Sequence, residues 1–108
     1  MSEIDPNKAI NYITQNAGVF AKAKADRTFV ENNLRVVKSE LMNEEAGTIG
    51  LREAHAYSHP RYKAQLEALR EATQIEEEML WMMKAAMARI EVYKVQEYSK
   101  RAEMRNLG

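Results

Sequence analysis

From Ile10 to Leu41 a spacing of three or four runs through Ile13, Ala17, Phe20, Lys24, Arg27, Val30, Leu34 and Val37, apolar except at Lys24 and Arg27. That spacing returns to one side of a 3.6-residue helix and predicts a long helix over about residues 6–46. Asp5-Pro6 supplies its start, an N-cap followed by proline at the first helical position. Gly18 costs about 1 kcal/mol relative to alanine in a helix interior. The apolar phase does not slip across it, so one unbroken helix is expected. Glu44-Glu45-Ala46-Gly47 provides the stop, with Gly47 suited to a left-handed cap. Residues 47–59 then form a connector. It has room for a short helix from about Leu51, with Leu51, Ala54 and Tyr57 closing the end of the core. Pro60 drives His59 out of helical geometry, and a second long helix is predicted over about residues 60–104. The polar end, Ser99 to Gly108, is expected to fray.

The second long helix carries two stripes. One runs through Tyr62, Leu66, Leu69, Thr73, Glu76, Leu80, Met83, Met87, Ile90, Lys94 and Glu97. The other runs beside it through Ala72, Ile75, Met79, Met82, Ala86 and Tyr93. Between Met79 and Ile90 the helix is apolar almost all the way round, whereas a surface helix buries a single stripe. The expected fold is therefore all-α, one domain built as an antiparallel hairpin of two long helices. If the turn sets Leu41 opposite Tyr62, Arg27 falls near Glu76, Phe20 near Met83 and Ile13 near Ile90. Lys24 and Arg27 interrupt the first seam at the depth where Glu76, Glu77 and Glu78 interrupt the second. Opposite charges there set the register, as polar seam residues do in coiled coils; the alternative is that the long side chains snorkel to the edge and contribute little. The second stripe needs a cover. Two hairpins related by a two-fold axis bury it as a four-helix bundle, with Ile75, Met79, Met82, Ala86 and Tyr93 at the interface. The competing cover is the connector folded back over Met79 and Met82.

Composition narrows the function classes. Sixteen basic and sixteen acidic residues cancel over 108 residues, so no overall field recruits nucleic acid or an anionic membrane. Without cysteine there is neither a disulfide framework nor thiolate chemistry. The start, Met-Ser-Glu-Ile-Asp-Pro, has no signal-peptide pattern, and no apolar run reaches the roughly 20 residues of a membrane span. A soluble, cytoplasmic chain without a membrane partner is expected.

The candidates for chemistry are few. His55 and His59 are four apart, but Pro60 takes His59 off a common helical face, and capping or surface roles are expected instead of metal binding. Glu76, Glu77 and Glu78 point about 100° apart on a helix and do not converge as acid and base must. The Glu-x-x-His pattern of di-iron bundles is absent. Ser39, Ser58 and Ser99 lack a nucleophile elbow. Met42, Met79, Met82, Met83 and Met87 suit either an adaptable binding groove or core filling, and the core is the simpler place for them. Neither enzymatic activity nor a cofactor is implied. From Lys84 onward the balance is basic, and a patch of Lys22, Lys24, Lys94, Lys100, Arg101 and Arg105, with Tyr93 and Tyr98 among it, is a candidate for holding phosphates and stacking bases.

Ala21-Lys-Ala-Lys-Ala-Asp-Arg27, Lys38, Leu41-Met42, His59-Pro60-x-Tyr62, Leu80-Trp81, Ala85-Ala86 and Arg89-Ile90-Glu91 resemble small helical proteins encoded by phages and prophages. The resemblance covers about residues 20–95 and rests on scattered positions, so it transfers no functional residues. It implies a phage accessory protein from a gene region concerned with DNA replication or recombination. The expectation is a non-enzymatic, self-associating accessory or adaptor protein, a dimer by preference, partnered by DNA or a DNA-processing protein. The alternative is direct nucleic-acid binding through the basic patch.

Overall fold

A computed structural model describes residues 4–107. They are all-α, with α1 at Pro6–Asn43, α2 at Ile49–Ser58 and α3 at Pro60–Leu107. Asp5 caps α1 as expected: its Oδ1 accepts the Asn7 N–H at 2.9 Å. Helix α1 continues without a break through Gly18.

Three boundaries differ from those read in the sequence. α1 ends at Asn43 rather than near residue 46, because the N–H groups of Glu44 and Glu45 reach back three residues to the Leu41 and Met42 carbonyls, at 3.2 and 3.3 Å. That tighter turn closes the helix, and Gly47 then reverses the chain at φ 118°, a conformation open to glycine and strained for other residues. Arg52 completes the end: Nε donates to the Met42 carbonyl at 2.9 Å and Nη2 to the Asn43 side-chain Oδ1 at 3.2 Å, placing a cation at a helix C-terminus. α2 begins at Ile49, not Leu51, with Thr48 Oγ1 accepting the Leu51 N–H at 3.3 Å. Finally, α3 stays helical to Leu107, through the residues expected to fray.

Between α2 and α3, His59 serves both helices. Its N–H donates to the Ala56 carbonyl at 3.2 Å, and its carbonyl accepts from Tyr62 and Lys63. The imidazole Nδ1 accepts the Arg61 N–H at 3.0 Å. This is the capping role the proline placed on it.

The described residues form two units. One joins the chain up to Phe20 with the chain from Glu78 onward; the other is Ala21–Glu77. In the second unit Glu40 pairs with Arg61, Gln65 Nε2 donates to the Val30 carbonyl at 3.4 Å, and Arg27 pairs with Glu76. Position falls along α1 as it rises along α3, so the two helices are antiparallel. Val37, fully buried Leu41 and Ala56 form its core, with Met42 and Tyr62 packed on them. The connector therefore faces the core with Ala56. Leu51 and Tyr57, expected there, are 62% and 46% exposed, and Ala54 is exposed too. In the first unit Ala9 of α1 and Ala86 of α3 are buried.

The most regular run of buried and half-buried positions alternates three and four on both long helices, with Tyr12, Asn33, Ala68 and Leu80 half-buried beside it. On α1 it runs Ala9, Ile13, Asn16, Phe20, Ala23, Arg27, Val30, Leu34, Val37 and Leu41; on α3 it runs Tyr62, Gln65, Leu69, Ala72, Glu76, Met79, Met83, Ala86, Ile90, Tyr93 and Glu97. This is a coiled-coil seam. It corrects the stripes read from hydrophobicity. Ile10, Ala17 and Lys24 lie outside, displaced by Ala9, Asn16 and Ala23; Leu66, Thr73, Met87 and Lys94 also lie outside. Alanine allows two helix backbones to approach closely, so at Ala9 and Ala23 a small residue takes the seam in place of its larger neighbour. Asn16 settles its own polarity there by donating to the Tyr12 carbonyl at 2.9 Å.

Two substitutions check this packing by urea unfolding. Leu41→Ala leaves a cavity at the fully buried position and lowers stability by about 2–5 kcal/mol. Gly18→Ala raises it by about 1 kcal/mol, because a Cβ at Gly18 meets no atom within 4 Å.

Candidate functional site

The alanines that let the helices close together also leave low ground beside the seam. In the first unit Lys8, Ala9 and Tyr12 of α1 and Met82, Ala85, Ala86 and Arg89 of α3 line a shallow cleft of about 240 Å³. In the second unit Ala23 and Asp26 of α1 and Ala68, Glu71, Ala72 and Ile75 of α3 line another, of about 220 Å³. Each has an alanine floor and one large apolar residue at its lip: Met82, 54% exposed, in the first, and Ile75, 55% exposed, in the second.

The five residues expected at an oligomer interface are thereby sorted. Met79, Ala86 and Tyr93 belong to the chain's own seam, with Ala86 buried; they are taken up internally because the seam draws from both stripes. Ile75 and Met82 remain outward, beside the clefts. Other large apolar side chains also face outward, among them Phe29 at 70% and Trp81 at 63% exposure, the latter with the Lys84 ammonium 4.7 Å from its ring centroid. Hydrophobicity alone could not single these out, since the seam itself had to be recognised first.

The six basic candidates are divided. Lys22 and Lys24 lie in the second unit; Lys94, Lys100, Arg101 and Arg105 lie in the first. Three have an acid one turn away: Lys22 with Asp26 at 2.6 Å, Lys94 with Glu91 at 3.1 Å and Lys100 with Glu97 at 3.7 Å. Exposed pairs of this kind add little stability, but they cancel much of the field a phosphate would meet. Arg101 lies 5.9 Å from the Tyr98 ring centroid, and Lys24 and Arg105 are exposed.

The expected charge match within the seam is present. Arg27 Nε donates to Glu76 and Nη1 to Glu31 Oε2 at 2.5 Å, with only 15% of the Glu76 side chain exposed. The hydrogen bond to Glu76 raises the Arg27 pKa above its ordinary value against the opposing effect of desolvation, and the Glu76 and Glu31 charges add to the rise. Lys38 is also held above its ordinary value, first by hydrogen bonding to Tyr57 and then by the Glu53 charge.

His55 sits between two acids, Nδ1 at 3.5 Å from Glu45 and Nε2 at 3.7 Å from Glu44, with its ring 5.7 Å from that of His59. Among the described residues no group of three His, Cys, Asp or Glu side chains is placed to hold a metal ion. No helix there is long and apolar enough to cross a membrane.

Compared with family models, with curated proteins and with solved structures, the chain matches none.

The Arg27–Glu76 pair has a testable signature. Glu76→Leu alone leaves Arg27 in the seam with only the Glu31 carboxylate one turn away and lowers the melting temperature. The double variant Arg27→Met/Glu76→Leu recovers most of that loss, because a matched apolar pair replaces a matched ionic one. A raised pKa keeps the arginine charged, and its contribution complete, throughout the neutral and mildly alkaline range. The difference between wild type and Arg27→Met is accordingly constant when melting is repeated between neutral and mildly alkaline pH.

Proposed function

We propose that this chain is a non-enzymatic accessory protein that acts as a homodimer, with Ile75 and Met82 in the contact between copies. The observation that carries this reading is the mismatch between what is buried and what is exposed. Of the six buried apolar residues among those described, four are alanine (Ala9, Ala23, Ala56 and Ala86), while Phe29, Ile75, Trp81 and Met82 are more than half exposed. Exposed apolar side chains of this bulk are what a second copy removes from water.

The resemblance of residues 20–95 to phage-encoded helical proteins supports a setting in phage DNA replication or recombination, where a dimeric helical scaffold would serve as adaptor to a DNA-processing partner. Direct binding of nucleic acid is the second reading. Exposed Lys24, Arg101 and Arg105, together with Arg101 beside the Tyr98 ring, favour it, since a ring and a guanidinium on one surface can stack bases and hold phosphate.

Light scattering coupled to size exclusion separates the two, run with and without a short single-stranded DNA. A dimer indifferent to DNA is expected, with Ile75→Asp shifting it toward monomer. A wild-type monomer at high micromolar concentration overturns the leading reading. Capture of DNA that falls steeply with salt and is lost in Arg101→Ala/Arg105→Ala promotes the second.

A further inference from the structure

The part of α3 that belongs to the first unit carries a second regular run. Trp81, Ala85, Ala88, Val92 and Val95 follow one another at intervals of four, three, four and three, and all of them are exposed. The run lies about 200° round the helix from the internal seam, since Trp81 is two residues beyond Met79 and each residue turns about 100°. Its spacing is that of a coiled-coil seam, left uncovered by the chain's own packing. Lys84 and Glu91, the residues just before Ala85 and Val92, flank it. Both are exposed, and the Lys84 ammonium lies 4.7 Å from the Trp81 ring centroid, at the edge of the run.

We propose that this outer run packs antiparallel on the same run of a second copy, Trp81 of each lying over Val92 of the other and Ala85 beside Ala88. This rests on the self-association reading and gives it a face, a direction and a register; Met82, named there, edges the run. Every residue involved belongs to one helix and one unit. A two-fold axis between Ala85 and Ala88 repeats each contact. The alanines at the axis let the backbones approach, and the indole covers the apolar surface on either side. Charge selects this register. Across antiparallel helices the flanking position before Ala85 meets the one before Val92, so Lys84 of each copy meets Glu91 of the other. Sliding the helices by one heptad sets Glu91 against its own copy in one sense and Lys84 against its own copy in the other. Parallel pairing in register sets Lys84 against Arg89 of the second copy. Like charges at a contact oppose association. Lys94, which holds Glu91 at 3.1 Å within the chain, is an exposed i,i+3 partner whose hold is weak enough to be exchanged.

Charge reversal tests this by sedimentation equilibrium, on exposed positions whose folding is checked by circular dichroism. Lys84→Glu sets acid against acid at both contacts, and Glu91→Lys sets base against base. Each alone is expected to dimerise at least about tenfold more weakly than wild type at low salt. Mixed together they restore opposite charges at both contacts, so a heterodimer recovering most of the wild-type affinity is expected; Lys84→Glu/Glu91→Lys in one chain recovers the homodimer. Val92→Asp, under the indole of the second copy, is expected to give monomer. A dimer that Lys84→Glu tightens is parallel and overturns the proposed direction. A dimer indifferent to both reversals and to Val92→Asp, or reversals that weaken it without rescue on mixing, overturns the proposed contact while leaving self-association intact. A monomeric wild type overturns both.

Discussion

Leu41 is the point from which the register of the second unit is set. It is the one large side chain there removed from solvent completely, and it is enclosed by Val37 from its own helix, Ala56 from the connector and Tyr62 from the start of α3. Three helices can meet on one leucine only if the chain reverses tightly. The reversal is secured by polar contacts around it: Gly47 at positive φ, Arg52 on the end of α1, and His59 joining α2 to α3. Once that corner is closed, each further turn of α1 has one partner turn on α3. Arg61 reaches Glu40, Gln65 reaches the Val30 carbonyl, and Arg27 reaches Glu76.

A pair of helices buries one stripe from each and no more. The interior is then narrow, and the closest approach requires small side chains. Ala9, Ala23 and Ala86 fill those places, and larger apolar residues are left on the flanks. The dimer proposed above is the counterpart of that geometry: close approach within the chain leaves large apolar residues on its flanks, and a second copy covers them. Function, on this view, belongs to the surface that the internal seam could not accommodate.

Much of the fold was legible in the residues themselves. The start at Asp5-Pro6, the continuous helix across Gly18, the proline-set boundary at His59 and the meeting of Arg27 with Glu76 all follow from local chemistry or from counting back along antiparallel helices. The candidate surface was legible only in part. Ile75 and Met82 are exposed, whereas Met79, Ala86 and Tyr93, which share their stripe, belong to the seam, because the two stripes on α3 have equal claim to it when hydrophobicity is the only guide.

The sequence by itself determined what depends on near neighbours along the chain: helix, cap, break and the period of burial. Those are set within a turn or two by propensity, proline and hydrogen-bonding side chains. Tertiary structure alone decided which of two adjacent stripes faces inward, that Ala56 rather than Leu51 closes the corner, and that Arg52 ends α1. Each depends on the shape of a surface contributed from elsewhere in the chain, and the distance between two helices is a property of both.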